Sequence, residues 1–72
     1  LTQLTVAQYD ALERAIRDGS RIVVRRRGTE YTVIPERLVV RGNREVIEAR
    51  HPTTGDPFEL WVDEADGLEV VL

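Results

Sequence analysis

Between residues 6 and 16 the apolar side chains return at steps of three and four: Val6, Tyr9, Leu12 and Ile16 fall in one stripe, with Ala15 at its margin. That spacing predicts an amphipathic helix over about residues 5–18. Both ends carry stop signals. Thr5 and Gln8 have the spacing of a capping box, Leu4 and Tyr9 that of a hydrophobic staple, and Gly19 stands where a helix ends. On the polar face, Asp10 with Arg14 and Glu13 with Arg17 have the spacing of i to i+4 ion pairs.

After Gly19 the period changes to two, and turn signals recur at Gly28-Thr29, Gly42-Asn43, Pro52-Thr53-Thr54-Gly55 and Asp66-Gly67. Strands are expected at about residues 21–27, 30–35, 37–41, 44–50, 57–62 and 68–71. Pro35, which has no N–H to give a central ladder, marks a bend between two halves of one long strand. The pattern therefore predicts a mainly β chain with one N-terminal helix (α+β class). Its form is a small barrel of five or six short, bent antiparallel strands in a single domain over 1–72. Closing the sheet would remove its exposed edges. Repeats, low-complexity tracts and linkers are absent from the sequence.

Alternation sorts the side chains into faces. A two-residue loop at Gly28-Thr29 sets Arg27 opposite Glu30, Arg26 opposite Tyr31 and Val24 opposite Val33. Ile22, Val24 and Arg26 then share the inward face with Tyr31, Val33 and Pro35, while Arg21, Arg25 and Arg27 point outward. Arg26 is the inward cation, placed to stack on the Tyr31 ring, whereas Arg27 and Glu30 make an exposed cross-strand pair. Gly42-Asn43 sets the second hairpin, with Val39 opposite Val46 and Leu38 opposite Ile47, so that Leu38, Ile47 and Ala49 face the core. Phe58, Leu60 and Val62 lie on one face of the next strand; Trp61 falls on the other with Glu59, either as a contact residue or packed beneath the helix.

Composition narrows the chemistry. Seventy-two residues support one small core, with little material left for a deep active site. Cysteine is absent, which excludes disulfides, thiolate nucleophiles and Cys-based zinc sites. No apolar run approaches the roughly 20 residues that span a bilayer, and the signal-peptide layout is missing, so a cytoplasmic protein without a membrane partner is expected. The first residue is Leu1, and no argument rests on the ends. All ten basic residues are arginine and the net charge is −3. Every arginine lies before residue 51, and six of the thirteen acids follow it. The asymmetry is compatible with self-association or with an acidic tail folded beside the basic strands.

Candidates for catalysis are thin. His51 is the single histidine and sits at a turn beside Pro52, with no second imidazole to complete a metal site; Ser20 has no histidine at a useful spacing. The run Asp63-Glu64-Ala65-Asp66-Gly67 lacks the alternating ligands of a calcium loop and reads as a short helical turn before the last strand. Neither catalysis, metal nor cofactor is expected.

The order of residues does resemble one family. "AIRDGSRIVVRRRG", the Pro35-Glu36-Arg37-Leu38 step, Phe58-Glu59-Leu60, and Asp63 with Gly67-Leu68 are similar to the WYL domain, a small SH3-like/Sm-like barrel of bacterial regulators, over about residues 11–71. The resemblance implies ligand sensing through a pocket of aromatic and basic residues, with nucleic acids or nucleotides among the ligands. The resemblance is a divergent one. Its naming triplet falls on Glu45, Val46 and Ile47, Arg26 stands where an aromatic often ends the first strand, Tyr31 replaces an arginine before the proline step, and Glu64 replaces a basic residue. Arg26 and Tyr31 look like an exchange across the hairpin that keeps one cation and one ring together. The expected function is thus a non-catalytic ligand-sensing or protein-interaction module, accessory to regulation, with an unknown protein partner or self-association. Arg26, Tyr31, Arg25 and Arg21 are the candidate ligand residues and Trp61 the candidate interaction residue. The alternative, less favoured on net charge, is single-stranded nucleic-acid or nucleotide binding by the basic strand surface.

Overall fold

The helix starts where its free N–H groups find side-chain acceptors. In the computed structural model, which describes residues 3–70, α1 runs Val6–Asp18. The Thr5 hydroxyl accepts from the Gln8 N–H at 3.1 Å and the Gln8 side chain accepts from the Thr5 N–H at 2.9 Å, closing the expected capping box. Gly19 ends the helix at φ 70, a left-handed conformation in which a side chain would be strained. The buried stripe is shorter than expected. Leu12 and Ala15 are buried, Tyr9 and Ile16 pack partly against the core, and Val6 is 78% exposed. Leu4, just before the cap, is buried instead and anchors the entry of the helix. The expected i to i+4 pairs do not form; Arg17 meets Asp18 at 3.6 Å, as fits exposed ion pairs too weak to hold long side chains in place.

Five antiparallel strands follow: β1 Ile22–Arg26, β2 Thr29–Arg41, β3 Arg44–Arg50, β4 Pro57–Trp61 and β5 Gly67–Val70. A 3-10 turn, Val62–Glu64, joins β4 to β5 where a short helical turn is expected. The residue-71 end of the expected last strand lies outside the described residues. The sheet order is β4-β3-β2-β1-β5. β2 serves both halves: its first part pairs with β1, its second with β3, and the register shifts between Pro35 and Arg37. The bend expected near Pro35 is thus a bulge inside one long strand, and the strand count is five, within the expected five or six; a bulge bends a strand without ending it. Among the described residues β4 and β5 do not pair, so the sheet curls toward a barrel without closing.

The first hairpin differs from expectation by two residues. Its loop is Arg27-Gly28, with Arg26 opposite Thr29, Arg25 opposite Glu30, Val24 opposite Tyr31 and Ile22 opposite Val33. Both loop residues are left-handed, Arg27 at φ 53 and Gly28 at φ 78, which is the turn whose twist matches the flanking strands. Because the shift is even, every side chain keeps its predicted face. The second hairpin pairs Val39 with Val46 and Leu38 with Ile47, as expected.

Leu12, Ile22, Val24, Ile47, Leu60 and Val62 form the centre of the core between α1 and the concave side of the sheet. Each contributes about 1.5–3 kcal/mol by leaving water. Val46 is also fully buried, but it lies outside that cluster, on the convex side between Val39 and Trp61.

Candidate ligand site at the bend of the sheet

β1 and β4 are separated in the sheet by two strands, yet the bend in β2 brings their inward side chains together. Arg26, the last residue of β1, holds its guanidinium carbon 5.2 Å from the centre of the Tyr31 ring and 5.5 Å from that of Phe58. The two rings are 5.0 Å apart and tilted by 41°. The His51 imidazole stands edge-on to Phe58 at 5.4 Å and 76°. All four side chains are half-buried, open to solvent on one side.

Each position has a local cause. Arg26 and Tyr31 fall on the inward face by alternation, and Phe58 does so through its pairing with Ala49. His51 is fixed by its turn, where its N–H donates to the Asp56 carbonyl and its own carbonyl accepts from the Gly55 N–H, both at 2.9 Å. Rings hold a guanidinium by their negative faces, worth about 0.5–2 kcal/mol each depending on exposure. Among the described residues Arg26 makes no ion pair with a carboxylate. Its forked N–H groups are consequently oriented and left available for an anion.

The other predicted ligand residues are not brought into this cluster. Arg25 points to the opposite face, where it donates to Glu30 at 3.0 Å and approaches Glu69 at 3.6 Å. The bond to Glu30, then the Glu69 charge, raise its pKa above the ordinary value and fix it as a cation already satisfied. The exposed pair expected between Arg27 and Glu30 is therefore made by Arg25, because the register places Arg25 opposite Glu30. Arg21 is exposed just before β1 and has no ion-pair partner among the described residues. Trp61 lies on the convex face, half-buried, with the Arg44 guanidinium 4.1 Å above its ring; it does not pack beneath α1.

Phe58 and His51 were missed as site residues by sequence reasoning. The pattern places Phe58 on one face with Leu60 and Val62 and His51 at a turn; their meeting with Arg26 depends on the pairing of Ala49 with both Pro35 and Phe58, which no sequence signal sets. A separate groove of about 300 Å³ lies at the other end of β1, lined by Ala11, Arg14, Ala15, Asp18, Ser20 and Val70. Its lining has no ring to orient a ligand, and we place the candidate site at Arg26. Among the described residues there is no cluster of His, Asp and Glu able to hold a metal, and no helix is long and apolar enough to cross a membrane.

A single helix followed by a bent five-stranded antiparallel sheet defines a small α+β domain of mostly β structure. No protein-family profile matches the sequence, and no curated protein sequence does. The fold itself is shared with a solved structure, the proteasome accessory factor B/C (PafBC) of Arthrobacter aurescens, at a TM-score of 0.73 and 23% identity. The match covers 97% of this chain and 12% of that one.

Proposed function

We propose that this chain is a non-catalytic, WYL-like ligand-sensing module accessory to regulation, and that the ligand is an anion received by Arg26. One observation carries the reading: a guanidinium held against two rings, with no carboxylate paired to it among the described residues. The fold shared with part of PafBC supports the WYL-like assignment, and with it the regulatory setting. A planar group on the ligand would extend the Tyr31–Phe58 stack.

A nucleoside monophosphate combines an anion with a planar ring and serves as the probe. Titration with AMP at low salt is expected to shift the Tyr31, Phe58 and His51 resonances, and Arg26→Ala to abolish the response. An unchanged spectrum at millimolar AMP counts against the reading. A short oligothymidylate tests the basic-strand alternative: tight binding that falls steeply with salt and depends on Arg21 would move the assignment to single-stranded nucleic acid.

A further inference from the structure

The turn that carries Arg26 is held from outside the hairpin. Asp66, between the 3-10 turn and β5, donates its N–H to the Arg25 carbonyl at 2.7 Å. Its carboxylate Oδ2 accepts the Arg27 N–H at 3.0 Å. One residue thus grips the backbone on both sides of Arg26, just beyond the point where the β1–β5 ladder ends at Arg25 opposite Gly67. The grip answers a local conflict. Arg27 adopts φ 53, a conformation that strains a residue with a side chain and persists where surrounding contacts hold it. A loop starting at Gly28 would avoid that strain, but it would set Arg26 opposite Tyr31 instead of Thr29 and change its approach to the rings.

We propose that Asp66 is a positioning residue for the Arg26 site: its two backbone hydrogen bonds select the Arg27-Gly28 turn and so aim the Arg26 guanidinium at Tyr31 and Phe58. The assignment rests on the reading of Arg26 as the ligand group, but its geometry can be tested without any ligand. The carboxylate works here as an acceptor, so asparagine, which keeps an oxygen in the same place, is expected to preserve the arrangement.

The experiment compares wild type, Asp66→Ala and Asp66→Asn in the 72-residue chain by NMR. The Arg26 side-chain resonances of the wild type are expected to carry ring-current shifts from Tyr31 and Phe58. Those shifts collapse in Asp66→Ala and survive in Asp66→Asn, while the methyl signals of Ile22 and Leu60 stay put in both. AMP affinity is expected to fall about fivefold or more in Asp66→Ala, the scale of one lost ordering contact, and to hold in Asp66→Asn. Undiminished ring-current shifts in Asp66→Ala would overturn the proposal, and so would their equal loss in a folded Asp66→Asn. Should Asp66→Ala fail to fold, hydrogen exchange of the wild-type Arg27 amide decides: protection supports the grip, and exchange at the rate of a free amide removes it. If AMP does not bind the wild type, the functional reading fails while the Arg26 shifts still judge Asp66.

Discussion

Two surfaces of the same sheet treat arginine in opposite ways. On the convex face of β2, β3 and β4, cations and acids alternate in a closed set. Arg37 and Arg41 both meet Glu48, Arg41 reaches Glu59 at 2.6 Å, and Arg44 holds Asp63 at 2.8 Å and Glu64 at 3.4 Å. At the concave end, Arg26 faces rings and no acid. The convex arrangement has spent its charge internally and shields Val46, whereas the concave one keeps a charge free for something else. Arginine count alone does not distinguish the two surfaces; what sets Arg26 apart is that its guanidinium lies against two rings.

The sharpest way to break this contrast is to attack the convex face where it is driest. If that face is structural, Val46→Asp places an unpaired carboxylate at a position with no solvent exposure and is expected to unfold the chain, at a penalty of several kcal/mol that a domain of this size does not hold in reserve. Val46→Ala should lose about 1–3 kcal/mol and leave AMP binding intact. Urea denaturation followed by circular dichroism reads both. A folded Val46→Asp would mean that Trp61 and Val39 do not seal the convex side.

Next in size is the coupling within the concave cluster. A double-mutant cycle with Arg26→Ala and Tyr31→Ala should give an interaction of about 0.5–2 kcal/mol, while the same cycle on Arg41 and Glu59 should give about 0–1 and vanish in high salt. Additive losses at Arg26 and Tyr31 would erase the distinction between the two surfaces.

A pH series separates the surfaces without mutation. The Arg44 guanidinium, mainly by its hydrogen bond and then by its charge, holds the Asp63 carboxyl below the ordinary carboxylate range. A carboxyl whose pKa is lower folded than unfolded binds fewer protons in the folded state. Its share of stability is present above the unfolded pKa and is lost as the pH falls through the folded one. Acid should therefore weaken the Arg44–Asp63 link, and Arg44→Ala should flatten that part of the stability curve. At the alkaline end, Tyr9 donates to Glu45, and that bond, then burial and the Glu45 charge, raise its pKa. Its contribution is present below the unfolded tyrosine pKa and lost as the pH rises through the folded one. Phenolate absorbance in wild type and Glu45→Gln checks this, the variant titrating earlier.

Much of this was legible before the coordinates. Thr5, Gln8 and Gly19 marked the helix because caps are local and chemically specific. The period of two put Ile22, Val24, Tyr31 and Val33 on one face, and that held although the first turn was misread. The misreading has a definite cause: glycine at the first loop position satisfies the local rule, whereas the Asp66 contact to the turn that forms comes from 39 residues away in sequence. Likewise Arg26 and Tyr31 could be paired from hairpin logic, but Phe58 and His51 join them through the β2 bulge, whose angle no local pattern encodes. Trp61 was left between two roles because alternation gives the face and not what lies over it; Arg44 covers it.

The smallest effect concerns the residue on the border between the two treatments. Arg25 belongs to the strand of the concave site but is paired like the convex arginines, and its Nη1 would lie 3.1 Å from a Cβ added at Gly67. That contact is with the tip of a flexible side chain, and Gly67 has no left-handed backbone to strain. Gly67→Ala should therefore move the guanidinium aside, loosening its 3.6 Å approach to Glu69 more than its bond to Glu30. The reduced freedom of the unfolded chain, about 0.4–1 kcal/mol in favour of alanine, opposes that loss, and the net change in stability should be close to zero. Thermal melts at low and high salt measure it. A loss well beyond about 1 kcal/mol would mean that the Arg25 pairings brace the strand, and the free and satisfied arginines of β1 would then no longer be independent of each other.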